Sequence, residues 1–205
     1  MPIIDLSHTI INNMQVYPGD QPPILEQTYC IRENGSTNHL LTFGMHTGTH
    51  IDGTWHMVDH KNFIADAPLE DLIGKACVID IRNSKEFTNI QLVKKKAEGC
   101  SIVLFYTGYG DLFGSDKYTH DYPLIGTDVA QVIVDMGIKL VGIDTFSPDI
   151  EPYKTHQILL SNGIFIAENL TNLHLLLDKS KIEIIAMPLK IEADSAPARI
   201  IAVVK

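Results

Sequence analysis

Apolar residues recur along this chain in short bounded runs. Ala76–Ile81 (ACVIDI), Ser101–Thr107 (SIVLFYT), Lys139–Asp144 (KLVGID), Ile182–Met187 (IEIIAM) and Ile200–Val204 (IIAVV) are rich in β-branched and aromatic residues and read as buried strands. Helical spacing shows between them. It is clearest over Thr127–Met136, where Val129, Val132, Ile133 and Met136 fall on one face behind a Thr N-cap. A second helix is expected near Pro68, which suits a first helical position, and a third over Asn89–Glu98. The stretch from Asn12 to Asn38 holds Pro18, Gly19, Pro22, Pro23 and Gly35 and is expected to be irregular or edge-like. The pattern predicts a β-rich α/β or α+β domain with strands buried on at least one face.

Length and charge narrow the class. At 205 residues with no repeat, low-complexity stretch or flexible linker, residues 1–205 read as one domain. A chain of this size buries about 70% of its extended surface, enough for a core without staples. No apolar run is long enough to span a bilayer, and MPIIDLSHTI shows no cationic segment followed by an apolar stretch, so a cytoplasmic protein is expected. Sixteen Lys and Arg against 25 Asp and Glu give a net charge of -9, the wrong sign for nucleic acid or anionic lipid. The basic run Lys94–Lys96 reads as a solvated helix face. Cys30, Cys77 and Cys100, with no CxxC pair, read as reduced structural thiols.

Histidine is where the sequence departs from the average. Of nine histidines, four (His46, His50, His56 and His60) fall within fifteen residues, where even scattering would place fewer than one. His46-Thr-Gly-Thr-His50-Ile-Asp52 offers two imidazoles and a carboxylate, all ligands for zinc, manganese or iron. A helix would bring His46 and His50 together, but Gly48, Gly53 and β-branched Thr49, Ile51 and Thr54 disfavour one. A strand would separate them by about 13 Å, too far for one ion. Either the chain bends at Gly48, or His46 and the His50/Asp52 pair serve two neighbouring ions. The best downstream candidates to complete the set are His156, after the SPDIEPY turn, and Glu168, a carboxylate ending an apolar run where burial is costly unless it is paired or metal-bound.

HTGTHIDGTWH resembles the H-x-G-T/A-H-x-D-x-x-x-H signature of the cyclase-like metal-dependent hydrolases, a family that includes bacterial kynurenine formamidases. The likeness extends to Asp5-Leu-Ser-His8, Tyr17-Pro-Gly-Asp20, Tyr106-Thr-Gly108, Asp144-Thr145 with Ser147, Glu168-Asn-Leu, and Pro188-Leu-Lys190 through Ala196-Pro-Ala-Arg199. The resemblance implies a swivelling β/β/α-type fold, a site for one or two divalent ions (zinc, with manganese the alternative), and a homodimer or higher oligomer with its active site near the subunit interface. It implies His46, His50, Asp52, His156 and Glu168 as ligands and His56 as catalytic acid/base. Where formamidases commonly carry Ala-Pro after the ligating Asp, this chain has Gly53-Thr54-Trp55.

The resemblance implies hydrolysis of an amide-type C–N bond in a small molecule, with N-formylkynurenine the leading substrate and metal-activated water the nucleophile. No G-x-S-x-G elbow is present for a serine route. Tyr17, Trp55 and Phe63 are candidates for an aromatic pocket, with plain packing as the alternative for each. The competing functions are opening of a cyclic amide such as isatin and a non-catalytic metal-binding domain. The absence of Cys from the proposed ligands argues for an open, catalytic site.

Overall fold

The computed structural model describes all residues 1–205. Strand β1 (Ile3–Asp5) opens the chain. Next come a hairpin, β2 (Ile24–Tyr29) and β3 (Asn38–Thr42), with the single helical turn α1 (Ile31–Asn34) at its tip, then β4 (His50–Asp52) and β5 (Ile73–Asp80). The remaining elements are β6 (Glu86–Phe87), α2 (Ile90–Lys96), β7 (Ile102–Tyr106), β8 (Leu124–Ile125), α3 (Thr127–Asp135), β9 (Leu140–Ile143), α4 (Lys154–Ser161), β10 (Phe165–Glu168), β11 (Ile182–Pro188) and β12 (Ser195–Val204). Seven strands run in the order β12-β11-β5-β7-β9-β10-β4, and β4 pairs back onto β12 to close a barrel, with β1 added along β12. β5, β7, β9 and β10 are mutually parallel; the pairings of β11, β12 and β4 are antiparallel.

Two apolar cores follow from the alternation of side chains along each strand. Ile102, Leu104 and Tyr106 of β7 point into the barrel with Ile51, Leu140, Phe165, Ala167, Ile184 and Ala202. Val103 and Phe105 of the same strand point outward, where Val93, Val129, Ile133, Leu159 and Leu160 of the helices cover them. These strands are buried on both faces, which is why the sequence shows continuous apolar runs. The expected β-rich α/β class and all five expected strands are present, β12 starting five residues earlier than its apolar run. Asn89 caps α2 by accepting from the Leu92 N–H, and Lys94–Lys96 are exposed.

Two expectations need correction. Pro68 starts no α-helix: only the 3₁₀ turn Leu69–Asp71 follows, because pairing with β11 draws the chain into β5 from Ile73. Thr127 is the first helical residue of α3, and Gly126 holds the N-cap position. The Asn12–Asn38 stretch is edge-like as expected, since its one strand, β2, pairs only with β3 in a two-stranded sheet separate from the barrel.

Candidate metal centre and active site

The same alternation places the site. Ile51 of β4 points into the barrel, so its neighbours His50 and Asp52 point outward. On β10, Ala167 points inward and Glu168 outward, and the register sets Glu168 opposite His50. Helix α4 lies over this face and lowers His156 onto it from its first turn. The result is a group of two carboxylates and two imidazoles between sheet and helix, all four residues buried.

His46 joins them because the chain bends at Gly48. Gly48 has φ +62°, a left-handed conformation costly for any side chain, and the turn brings the His46 and His50 rings to 5.0 Å. His46 Nδ1 reaches Asp52 Oδ1 at 2.9 Å, His50 Nε2 lies 3.4 Å from the same oxygen and 3.3 Å from Glu168 Oε2, and His156 Nε2 lies 3.2 Å from Glu168 Oε1 and 3.8 Å from Asp52 Oδ2. All five residues expected as ligands therefore meet. His56, on a 3₁₀ turn after β4, stands 4.3 Å from His46 ring to ring. His60 is exposed and takes no part.

A divalent cation fits this donor set. His50 Nε2, both Asp52 oxygens and Glu168 Oε1 are buried, and although charged partners crowd them none is matched by a hydrogen bond of good geometry, an arrangement that is costly unless something else satisfies them. Donor atoms of His50, Asp52 and Glu168 lie within 4.8 Å of one another, as do those of His46, Asp52 and His56. Asp52 is common to both groups, so one ion or two can be held. The outer nitrogens are already fixed: His50 Nδ1 donates to the Gly48 carbonyl at 2.8 Å, and His156 Nδ1 faces Asp149 Oδ1 at 2.5 Å, leaving each Nε2 aimed inward.

Asp149 and Asp194 are two further carboxylates in contact with the candidate site that the sequence pattern did not single out. Asp149 also accepts from the Thr155 and His156 N–H groups and so fixes the start of α4; the clue was a carboxylate in the turn before a candidate ligand. Asp194, whose carboxylate meets His46 and His56, immediately precedes the Ser195-Ala196-Pro197 segment. Asp144 serves another purpose, accepting from the Thr107 N–H and hydroxyl at 2.7 Å and the Gly108 N–H at 3.0 Å. It ties the Thr-Gly pair to β9.

A cavity of about 210 Å³ opens over the site, lined by Tyr17, Met57, Phe146 and Tyr153 as well as the histidines and Glu168. Tyr17 stands edge-on to Phe146 at 6.0 Å, and its hydroxyl meets that of Tyr153 at 3.2 Å. Trp55 and Phe63 do not line it. They stack edge to face at 5.7 Å, with Lys61 Nζ 4.8 Å from the Phe63 ring.

Fold and site define a barrel protein with a buried His/carboxylate centre. The Cyclase family model matches residues 4–150, and the chain belongs to that family. It is 31% identical over 204 residues to a kynurenine formamidase of Bacillus cereus, covering 96% of this chain and 94% of the relative. Among solved structures it is similar to a predicted metal-dependent hydrolase from Bacillus stearothermophilus (27% identity, TM-score 0.74, covering 98% of this chain and 97% of the other). Isatin hydrolase A from Labrenzia aggregata shares the fold, with TM-score 0.88 at 22% identity, covering 99% and 93%.

Electrostatics without the cation give a pH test. Burial pulls His46, His50 and His156 down. The Asp52 charge and the Asp194 hydrogen bond outweigh it at His46, Asp52 and Glu168 at His50, and Asp149 and Glu168 at His156, holding them up at about 11, about 9 and about 10. Burial likewise opposes ionisation of Asp52, but the His50 and His46 charges hold its carboxyl well below the usual range. From the ordinary imidazole value near 6.5 up to these folded values, the folded cation-free chain carries more protons than the unfolded chain, so this stabilisation is lost as pH rises through that window. A cation must displace the same protons. Titration of metal-stripped protein should show affinity rising with pH across the window; a Kd that stays constant with pH contradicts the assignment.

Proposed function

We propose that this chain is an arylformamidase that hydrolyses N-formylkynurenine to kynurenine and formate. The observation that carries the reading is the buried donor set of His50, Asp52 and Glu168 beneath an aromatic-walled cavity. The near full-length likeness to a kynurenine formamidase supports the substrate. His46, His50, Asp52, His156 and Glu168 hold the divalent metal, for which zinc is our assignment and manganese the alternative. When bound, such an ion polarises a carbonyl oxygen and lowers the pKa of water from 15.7 toward about 7.

The protein's own residues supply the rest. Tyr17 and Phe146 flank the aryl ring, whose burial is worth about 25 cal/mol per Å² of apolar surface. His56 gives the departing amine its proton as the C–N bond breaks and water oxygen joins the formyl carbon. Asp149 and the Gly48 carbonyl keep His156 and His50 facing inward. Cyclic-amide opening is the second reading; the likeness to isatin hydrolase is one of fold.

Residues 1–205 act as one domain, because the barrel closes by pairing β4, in the first third of the chain, with β12 near its end. We assign a homodimer: a two-stranded sheet alone is marginally stable, and β2, α1 and β3 expose Ile24, Tyr29, Ile31 and Leu40. No helix is long and apolar enough to cross a membrane, and the three free thiols suit the cytoplasm. Leu40→Glu with Ile31→Glu should turn the dimer into monomers in sedimentation velocity; an unchanged dimer removes the hairpin from the interface.

Two experiments test the chemistry. His50→Ala and Asp52→Ala should lose metal, whereas His56→Ala should retain it and lose about 10²–10⁴-fold in turnover. A metal-free His56→Ala protein would make His56 a ligand, as its place in the group with His46 and Asp52 allows. In a substrate panel, N-formylkynurenine and formanilides should exceed alkyl formamides in kcat/KM. Clear preference for isatin would refute the arylformamidase assignment and leave the metal-dependent hydrolase standing.

A further inference from the structure

His56 and His46 share a third partner that no ligand set requires. One oxygen of Asp194, Oδ2, lies 3.0 Å from His46 Nε2 and 3.3 Å from His56 Nδ1, and the Ser195 hydroxyl donates to it at 3.1 Å. The geometry divides the ring nitrogens by task. His46 turns Nδ1 to Asp52 and Nε2 to Asp194, while His56 turns Nδ1 to Asp194. A neutral imidazole that donates through Nδ1 leaves Nε2 as its proton-exchanging nitrogen.

Gly53 explains how the carboxylate reaches this place. The Gly53 N–H donates to the Asp194 carbonyl at 3.0 Å, and the Ile64 N–H holds the adjacent Ala193 carbonyl at 2.9 Å. A Cβ on residue 53 would lie 2.7 Å from the Asp194 carbonyl oxygen, closer than atoms tolerate. Backbone, unlike a flexible side-chain tip, cannot swing aside without moving the residue it carries. The glycine following Asp52 therefore admits the loop that delivers Asp194.

We infer that Asp194 is a positioning residue of the active site, a single carboxylate that fixes the ring of His56 for proton transfer to the leaving amine and the ring of His46 for the cation, with Gly53 as the residue that lets it approach. The inference rests on the reading of His56 as acid/base. It predicts a signature that a merely structural carboxylate would lack. A poorly oriented acid is felt most by leaving groups that most need a proton, so the loss should grow with the basicity of the departing aniline.

Asp194→Asn keeps the shape and removes the charge. Its kcat should be compared with wild type on para-substituted formanilides, and the zinc affinity of both stripped proteins measured against a competing chelator. We expect a loss about tenfold larger for the most basic aniline than for p-nitroaniline, and zinc binding weakened by about 10- to 100-fold, the range for a residue that orients a ligand. Gly53→Ala should shift both readings the same way to a smaller extent. Retention by Asp194→Asn of either the wild-type leaving-group dependence or the wild-type zinc affinity overturns the inference. Failure of wild type to cleave any formanilide would instead refute the amide-hydrolase reading, and the zinc titration would still judge the contact between Asp194 and His46.

Discussion

Asp52 and Glu168 are carboxylates placed on neighbouring strands, directed away from the barrel interior and then covered by α4, so that both are buried. Removing two negative charges from solvent is costly unless positive charge compensates them at close range. The imidazoles of His46, His50 and His156 are the nearest source, and their folded pKa values are lifted because of it. Protons and a divalent cation are thus alternative occupants of one electrostatic well. The depth of that well makes a cation effective there, and its exchange of protons for metal ties loading to pH.

The barrel determines how rigidly the well is built. β4 is only three residues long, yet it is hydrogen-bonded on both sides, to β10 and to β12. Its inward residue, Ile51, is fully buried in the barrel core, which fixes the outward directions of His50 and Asp52. A slip of one residue in register would bury the two donors among aliphatic side chains and expel Ile51. Core packing on one face therefore enforces ligand geometry on the other. Hydrogen bonds from His50 to Gly48 and from His156 to Asp149 complete the constraint from the loop side.

Much of this was legible in the sequence, for reasons particular to each element. Strands buried on both faces, such as β7 and β9, announce themselves as unbroken apolar runs. The candidate ligands stand out because histidine is scarce and four occur within fifteen residues. At His46 the left-handed turn at Gly48 supplies the bend that spacing arguments leave undetermined, and the two donor groups that share Asp52 fit one ion or two. Less legible were features decided by distant partners. The residues after Pro68 carry a helical start signal, but pairing with β11 claims the segment for β5. Trp55 follows the metal motif closely and still turns to Phe63 rather than to the cavity. Asp194 lies well over a hundred residues from His46, and although it falls within the family-like stretch Pro188–Arg199, its partners arrive from β4 and its flanking loops, which spacing along the chain does not reveal.

The central claim is that the outward face of β4 and β10 holds the cation. Anomalous diffraction above the zinc absorption edge, from crystals of zinc-loaded protein, tests it most directly. The account predicts a peak enclosed by His50 Nε2, His156 Nε2 and the carboxylate oxygens of Asp52 and Glu168, with any second peak on the side of Asp52 that faces His46. Loaded crystals with no peak among these residues, or with zinc only at surface histidines such as His60, would contradict it.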